Sequence, residues 1–307
     1  MKKIFLLGAF LFLNCSSDKE DQILNPEQKL TNKIDLKING KKLIENFIDV
    51  SSFYMCDEKI YINVKSLKNG IVSELLTIVL LSNGELVYTN FIDKSSSTNS
   101  VFSTADFIPN STINIEDFQF IENKKLKLKL SGTLLKRINN INAISETLQI
   151  DGTIEINNFG KTNCNIFNDF IKLNEQIKFL DIQRSYQDSQ TNLIVSYESN
   201  SLNGFNIKFK NLTNFLQNMQ IGTYTFNNLS STEKIEFRKY IGILKNFGAH
   251  HYIPTDWKVY STNGSFTIVE KTRINGRQVV KVKLNFSASY DGIVEYNFTN
   301  SEFETTL

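Results

Sequence analysis

Cysteine is scarce in this chain, and its scarcity narrows the chemistry at once. Cys15, Cys56 and Cys164 are the only three in 307 residues. They make no disulfide framework and no Cys-x-x-Cys metal spacing. Histidine is rarer still, limited to His250 and His251, so a three-histidine zinc site is excluded. Proline occurs three times and tryptophan once, at Trp257. Neither sign of charge dominates, with 34 Lys+Arg against 32 Asp+Glu. A nucleic-acid partner needs a basic excess or stripe, and the balance argues against one. The H-E-x-x-H, G-x-S-x-G, G-x-x-x-x-G-K-[ST] and G-x-G-x-x-G signatures are missing, which removes the common metalloprotease, serine-hydrolase, P-loop and dinucleotide readings. No cofactor is expected.

Long apolar runs are missing too. The run Ile4 to Leu13 has ten residues, against about 20 for a membrane span. Met1-Lys2-Lys3 precedes it, and Asn14-Cys15-Ser16-Ser17 follows. A short cationic start, an apolar segment and a cysteine form a lipoprotein signal peptide, here residues 1–14, with acyl chains placed on Cys15. Phe12 and Asn14 depart from the aliphatic and small residues usual before the cysteine. Cleavage elsewhere would give a soluble secreted protein instead. Removal of Lys2 and Lys3 leaves 32 basic against 32 acidic residues, so membrane attachment would rest on lipid rather than charge. Residues 15–31 are polar, carry Pro26 and contain too little apolar surface to pack, the composition of a flexible tether.

The rest of the chain is globular in composition, 41% hydrophobic and 21% charged. Its 24 Phe and 11 Tyr favour strands. Ile121 to Leu134 (IENKKLKLKLSGTL) alternates lysine with leucine, the period of a half-buried strand. Asn39-Gly40 lies between two alternating runs, a strong hairpin signal. Similar blocks recur in order: Leu36–Asn39 with Ile171–Asn174, Tyr88-Thr89 with Tyr224-Thr225, Lys127–Leu130 with Lys281–Leu284, and Asp151–Asn157 with Asp291–Asn297. The fold class expected is mainly β: two tandem antiparallel β-sandwich-like modules, at 32–159 and 165–304, with one short helix in the second. That helix is placed at 231–247. Ser230-Ser231-Thr232-Glu233 reads as a capping box, and Phe237, Tyr240, Ile241, Leu244 and Phe247 follow at helical spacing. The boundary near Gly160-Lys161 is expected to be an open cleavage site.

Ile38-Asn39-Gly40-Lys41, Leu130-Ser131-Gly132-Thr133 and the strand Gly152 to Phe159 resemble segments of uncharacterised outer-membrane β-sandwich lipoproteins of Bacteroidota. The resemblance covers the tether and first module. It weakens in the second, where Glu175 and Asn285-Phe286 replace the matching glycine and Ser-Gly. It implies a fold and a location, with these motifs as turns and strand ends. Asp18, Glu20 and Asp21 resemble the acidic export signal of surface lipoproteins. Cell-surface display on the outer membrane is therefore expected, with a periplasm-facing anchor the alternative.

Candidate site residues come from a segment longer in the second repeat than in the first. His250, His251, Tyr252, Asp256 and Trp257 gather both histidines and the only tryptophan between 246 and 258. Aromatic rings in an inserted loop suit glycan or protein binding. The alternative is that Tyr252 and Trp257 seal the core beneath the helix. His250, His251 and Asp256 are metal-ligand types, but adjacent residues on a strand face opposite ways, so no metal site is expected. A cysteine hydrolase would need Cys56 or Cys164 beside a histidine, without a local signature to support it. The sequence thus points to a lipid-anchored envelope protein, non-enzymatic, with a binding or accessory role towards a glycan or envelope protein. A glycan hydrolase using two unidentified carboxylates, or a structural or adhesion component, is the alternative.

Overall fold

Alternation of apolar and polar residues builds nearly every element. The computed structural model describes residues 32–43, 48–56, 59–94, 100–105, 107–122, 124–136, 146–157, 160–161, 169–180, 183–189, 192–212, 216, 219–229, 234–242, 254–274 and 276–306. The first sheet contains β1 (Lys33–Ile38), β2 (Lys41–Lys42), β3 (Ile48–Cys56), β4 (Lys59–Lys68), β5 (Ile71–Leu81) and β6 (Leu86–Asp93). It continues with β7 (Ser100–Ser103), β8 (Ile113–Ile121), β9 (Lys125–Lys136), β10 (Thr147–Asn157) and β11 (Gly160–Lys161). The second contains β12 (Phe170–Lys172), β13 (Lys178–Phe179), β14 (Gln183–Ser189), β15 (Asn192–Asn200) and β16 (Phe205–Leu212). It is completed by β17 (Gly222–Phe226), β18 (Lys234–Tyr240), β19 (Trp257–Ile274), β20 (Arg277–Tyr290) and β21 (Ile293–Thr306).

The strand order is β11-β3-β4-β5-β6-β7-β9-β10-β1-β2 in the first sheet, with β8 also on β9. In the second it is β13-β12-β21-β20-β19-β18-β16-β15-β14, with β17 also on β19. All these pairings are antiparallel except β11 on β3. The fold is thus mainly β, in two curled antiparallel sheets. The expected hairpin is present: Asn39 (φ 48°) and Gly40 (φ 77°) turn β1 into β2.

Each sheet closes over its own core. In β9, Leu126, Leu128 and Leu130 are fully buried while the intervening lysines face outward. The first core is aliphatic, built on residues such as Ile62, Ile78, Leu128 and Ile154. The second is aromatic: Phe237 touches the rings of Phe205, Tyr260, Phe286, Tyr296 and Phe298. Tight curling needs glycine inside strands. Gly132 and Gly152 both hold φ 148°, and a Cβ on either would lie 2.0 Å from a neighbouring backbone carbonyl, Thr112 O just before β8 and Asp35 O of β1 respectively. These glycines are therefore not the turns or strand ends that the motif suggested. They sit mid-strand, where the next backbone presses in.

The two sheets share a closing unit. The first strand pairs with the last long strand, which pairs with the one before it: β1-β10-β9 and β12-β21-β20. Ile34 opposes Ile154, which opposes Leu128; Ile171 opposes Phe303, which opposes Val282. The Asn32 side chain accepts the Asn157 N–H at 2.8 Å, and the Asp169 side chain accepts the Thr306 N–H at 2.7 Å. The match of Lys127–Leu130 with Lys281–Leu284 fits these ladders. The match of Asp151 with Asp291 does not: Asp151 lies inside β10, whereas Asp291 and Gly292 form the β20–β21 turn. Counted from the shared ladders, Asp151 corresponds to Asn300, Glu155 to Glu304, and Ile34 rather than Leu36 to Ile171, so the match of Leu36–Asn39 with Ile171–Asn174 is two residues out of register. Thr89 is buried and Thr225 exposed, so that pair is not equivalent either.

Two further expectations are corrected. Residues 234–240 are a strand, not part of a helix. Ile235 and Phe237 are fully buried and alternate with outward Glu236 and Arg238, and both edges of β18 pair, with β16 and β19. Ile241, assigned to the apolar face of that helix, is 59% exposed. The remainder of the expected helix, 231–233 and 243–247, lies outside the described residues. Gly160-Lys161 is not an open boundary, because it pairs in parallel with Tyr54-Met55.

The sheets also touch. Residues 32–307 form one compact unit. Phe107, between β7 and β8, packs on Tyr240 and Trp257, with ring centroids 4.7 and 5.2 Å away. Its carbonyl accepts the Gly204 N–H at 2.7 Å, and the Gly204 carbonyl accepts the Tyr240 N–H. A second contact joins Val79, Leu81 and Val87 to Leu180 and Leu202.

Candidate functional site

The described residues on either side of the segment singled out in the sequence, Ile241-Gly242 and Asp256, are bonded to each other. The Asp256 carbonyl accepts N–H bonds from Ile241 at 2.8 Å and Gly242 at 3.2 Å. Pro254–Asp256 is a single 3-10 turn leading into β19. Gly242 has no room for a side chain, since a Cβ would lie 2.5 Å from the Asp256 carboxyl carbon. Burial and the Asp256 charge push the Tyr240 hydroxyl up to about 12. His250, His251 and Tyr252 lie outside the described residues, as do Cys15 and Cys164. Trp257 is only 4% exposed. Its ring fills the junction between the sheets, beside Phe107, Tyr240 and Ala105, and offers no free face as a surface anchor.

A polar network borders that junction on the outer face of the second sheet. The Glu198 carboxylate accepts bonds from Asn206 Nδ2 at 2.9 Å and Arg238 Nη2 at 3.3 Å, with Lys208 Nζ at 3.5 Å. Arg238 Nε donates to Asn206 Oδ1 at 2.8 Å, and its guanidinium lies 4.4 Å from the Trp257 ring centre. Burial pushes the Glu198 carboxyl up, but the Asn206 hydrogen bond and the Lys208 and Arg238 charges outweigh it and hold the group below its ordinary value. Burial wins on Arg238, lowering its pKa against the pull of Glu198; an arginine nevertheless stays protonated at any working pH.

A third cluster lies where β18, β19 and the β20–β21 hairpin meet. Lys258 Nζ is bonded to Glu295 Oε1 and sits 4.3 Å from the Tyr290 ring centre and 5.4 Å from that of Tyr260. The Tyr260 hydroxyl donates to Glu295 Oε2 at 3.0 Å, and burial with that bond raises its pKa strongly. Lys239 lies 5.4 Å from the buried Phe205 ring, and Tyr296 packs edge-on against Tyr260. Tyr290 is 40% exposed, and Ile293, opposed to it in the β20–β21 ladder, is more open still. This end of the second sheet is thus a rigid aromatic rim carrying two lysines and one carboxylate. Of its members only Lys258 falls within the 246–258 segment that the sequence singles out. They are spread over two strands and a hairpin, and the only local signal is the alternation Lys258-x-Tyr260. Glu295 drew notice as a repeat partner of Glu155, which it is not.

One pair of carboxylates is directly opposed in the first sheet, Glu74 across from Asp93. Burial raises the Glu74 pKa, a Ser66 hydrogen bond opposes this, and the Asp93 charge adds to it. Among the described residues no group of three or more His, Cys, Asp or Glu side chains converges to hold a metal. Comparison of the chain with protein-family models, curated proteins and solved structures gave no match.

Proposed function

We propose that this is a lipid-anchored, non-enzymatic binding protein of the cell envelope, attached through Cys15 to the outer membrane, and that it engages a glycan at the rim formed by Tyr290, Tyr260, Lys258 and Glu295. The exposed Tyr290 ring beside a fixed lysine–carboxylate pair carries this reading. Aromatic faces bury sugar C–H surface at little entropic cost, while neighbouring charged groups bond hydroxyls. The rim is held by cross-strand bonds rather than by a loop, so it needs no rearrangement to bind.

Glycan-array screening, followed by titration of a hit, tests the reading. Tyr290→Ala should weaken binding by about 2 kcal/mol, the range of an interface anchor, with little change in melting temperature because the ring is partly open. Absence of any glycan hit, or a hit unaffected by Tyr290→Ala, would remove the assignment.

A further inference from the structure

We infer that the outer face of the first sheet carries a separate binding site, for a zwitterion the size of a free α-amino acid. A cleft of about 260 Å³ opens over β1, β9 and β10, lined by Lys37, Gly40, Ser131, Gly132, Gln149, Ile150 and Asp151. This lies below the roughly 300–1,000 Å³ of sites for drug-sized ligands, so the occupant is small. Lys37 and Asp151 are directly opposed in the β1–β10 ladder, and Asp151 is in turn opposed to Ser131. Opposed charges in a ladder ordinarily pair. Here Lys37 and Asp151 form no ion pair within 4.0 Å, with each other or with any other described residue. Lys129, whose charge also reaches Asp151, is bonded to Glu116 at 2.8 Å. The cleft therefore has one cationic and one anionic wall.

Apart from Ile150 and the two glycines, the rest of the lining is polar, and Gln149 is held in place. The Gln149 N–H is held by the Asn39 side chain at 2.9 Å, and its side-chain amide donates to Thr133 Oγ1 at 2.9 Å. No aromatic ring lines the cleft, which disfavours a sugar. A ligand ammonium at Asp151 and carboxylate at Lys37 would satisfy both walls with charge-assisted bonds. The feature belongs to one repeat only. The equivalent positions in the second sheet are the neutral Asn174, Asn285 and Asn300, and there the Asn300 N–H bonds the Asn285 side chain instead.

Amide chemical shifts of the chain from Ser16 to Leu307, titrated with L-alanine, decide the matter. The expected result is saturable movement at Gly40, Ser131 and Asp151 with a dissociation constant of about millimolar order. Propionate and ethylamine, each lacking one charge, should bind at least about tenfold more weakly, and so should L-alanine to Lys37→Met and Asp151→Asn at unchanged melting temperature. No saturable movement up to about 50 mM would overturn the proposal. Equal binding of propionate, ethylamine or glucose would also overturn it, as would full affinity in both variants.

Discussion

Trp257 shows how one side chain's meaning depends on its neighbours. In the sequence it stands beside two histidines and a tyrosine, the company of a binding loop. In the fold it is buried against Phe107 and Tyr240, with Arg238 over its face. Trp257→Ala should therefore lower stability by about 3–5 kcal/mol through the cavity it leaves, read as a shift in the urea midpoint. Glycan affinity at the Tyr290 rim should hold where the variant is folded. Phe107→Ala combined with Trp257→Ala should cost less than the two changes separately, because the rings share one contact. Glu198 gives a prediction of different kind. Its folded pKa lies below the ordinary 4.5. The stability it contributes is then fully present above that value and is lost as pH falls through the lowered folded value. Glu198→Gln should flatten the acid limb of a stability–pH curve between those two points. An unchanged acid limb would show that the carboxylate's partners add nothing in solution.

Elements with strict period-2 patterning were legible. The lysine–leucine alternation of β9 and the Asn39-Gly40 turn fall where they were expected, because a sheet with one wet face writes itself directly into the sequence. β18 was not legible. Phe237 and Tyr240 fit a helical stripe as well as Ile235 and Phe237 fit a strand, and the pairing with β16 and β19, remote in sequence, decides between them. Repeat register was read two ways at once. Lys127–Leu130 and Lys281–Leu284 occupy matching ladder positions, but Asp-Gly occurs both inside β10 and in the β20–β21 turn, and sequence does not distinguish a glycine needed for close strand approach from one needed to turn. The former use is testable. Gly152→Ala should destabilise the first sheet severely, since a Cβ there meets a backbone carbonyl that cannot swing aside. The same change at Gly40, with open space around it, should cost less, limited to the left-handed backbone. Thermal melts of the two variants give the order.

At the scale of the molecule, two sheets with separate cores form one compact unit, joined where Phe107 meets Tyr240 and Trp257 and where Leu180 and Leu202 pack on Val79, Leu81 and Val87. The candidate rim was hidden from sequence for the same reason that the junction was: both are assembled from residues far apart in the chain. The proposed membrane attachment, by contrast, rests entirely on the sequence of residues 1–14 and on Cys15. Cys15→Ala should move the protein from the membrane to the soluble fraction and abolish incorporation of labelled palmitate. A wild-type chain that takes up no label would remove the anchor from the proposal.

The junction also supplies its own reporter. Because the only tryptophan of the chain is buried between the sheets, ultraviolet emission excited at the indole comes from that one place. A red shift on solvation of Trp257 would mark separation of the sheets, while far-ultraviolet ellipticity follows the strands themselves. Two optical signals, recorded on one unmodified sample, can thus time undocking against unfolding without any label being introduced.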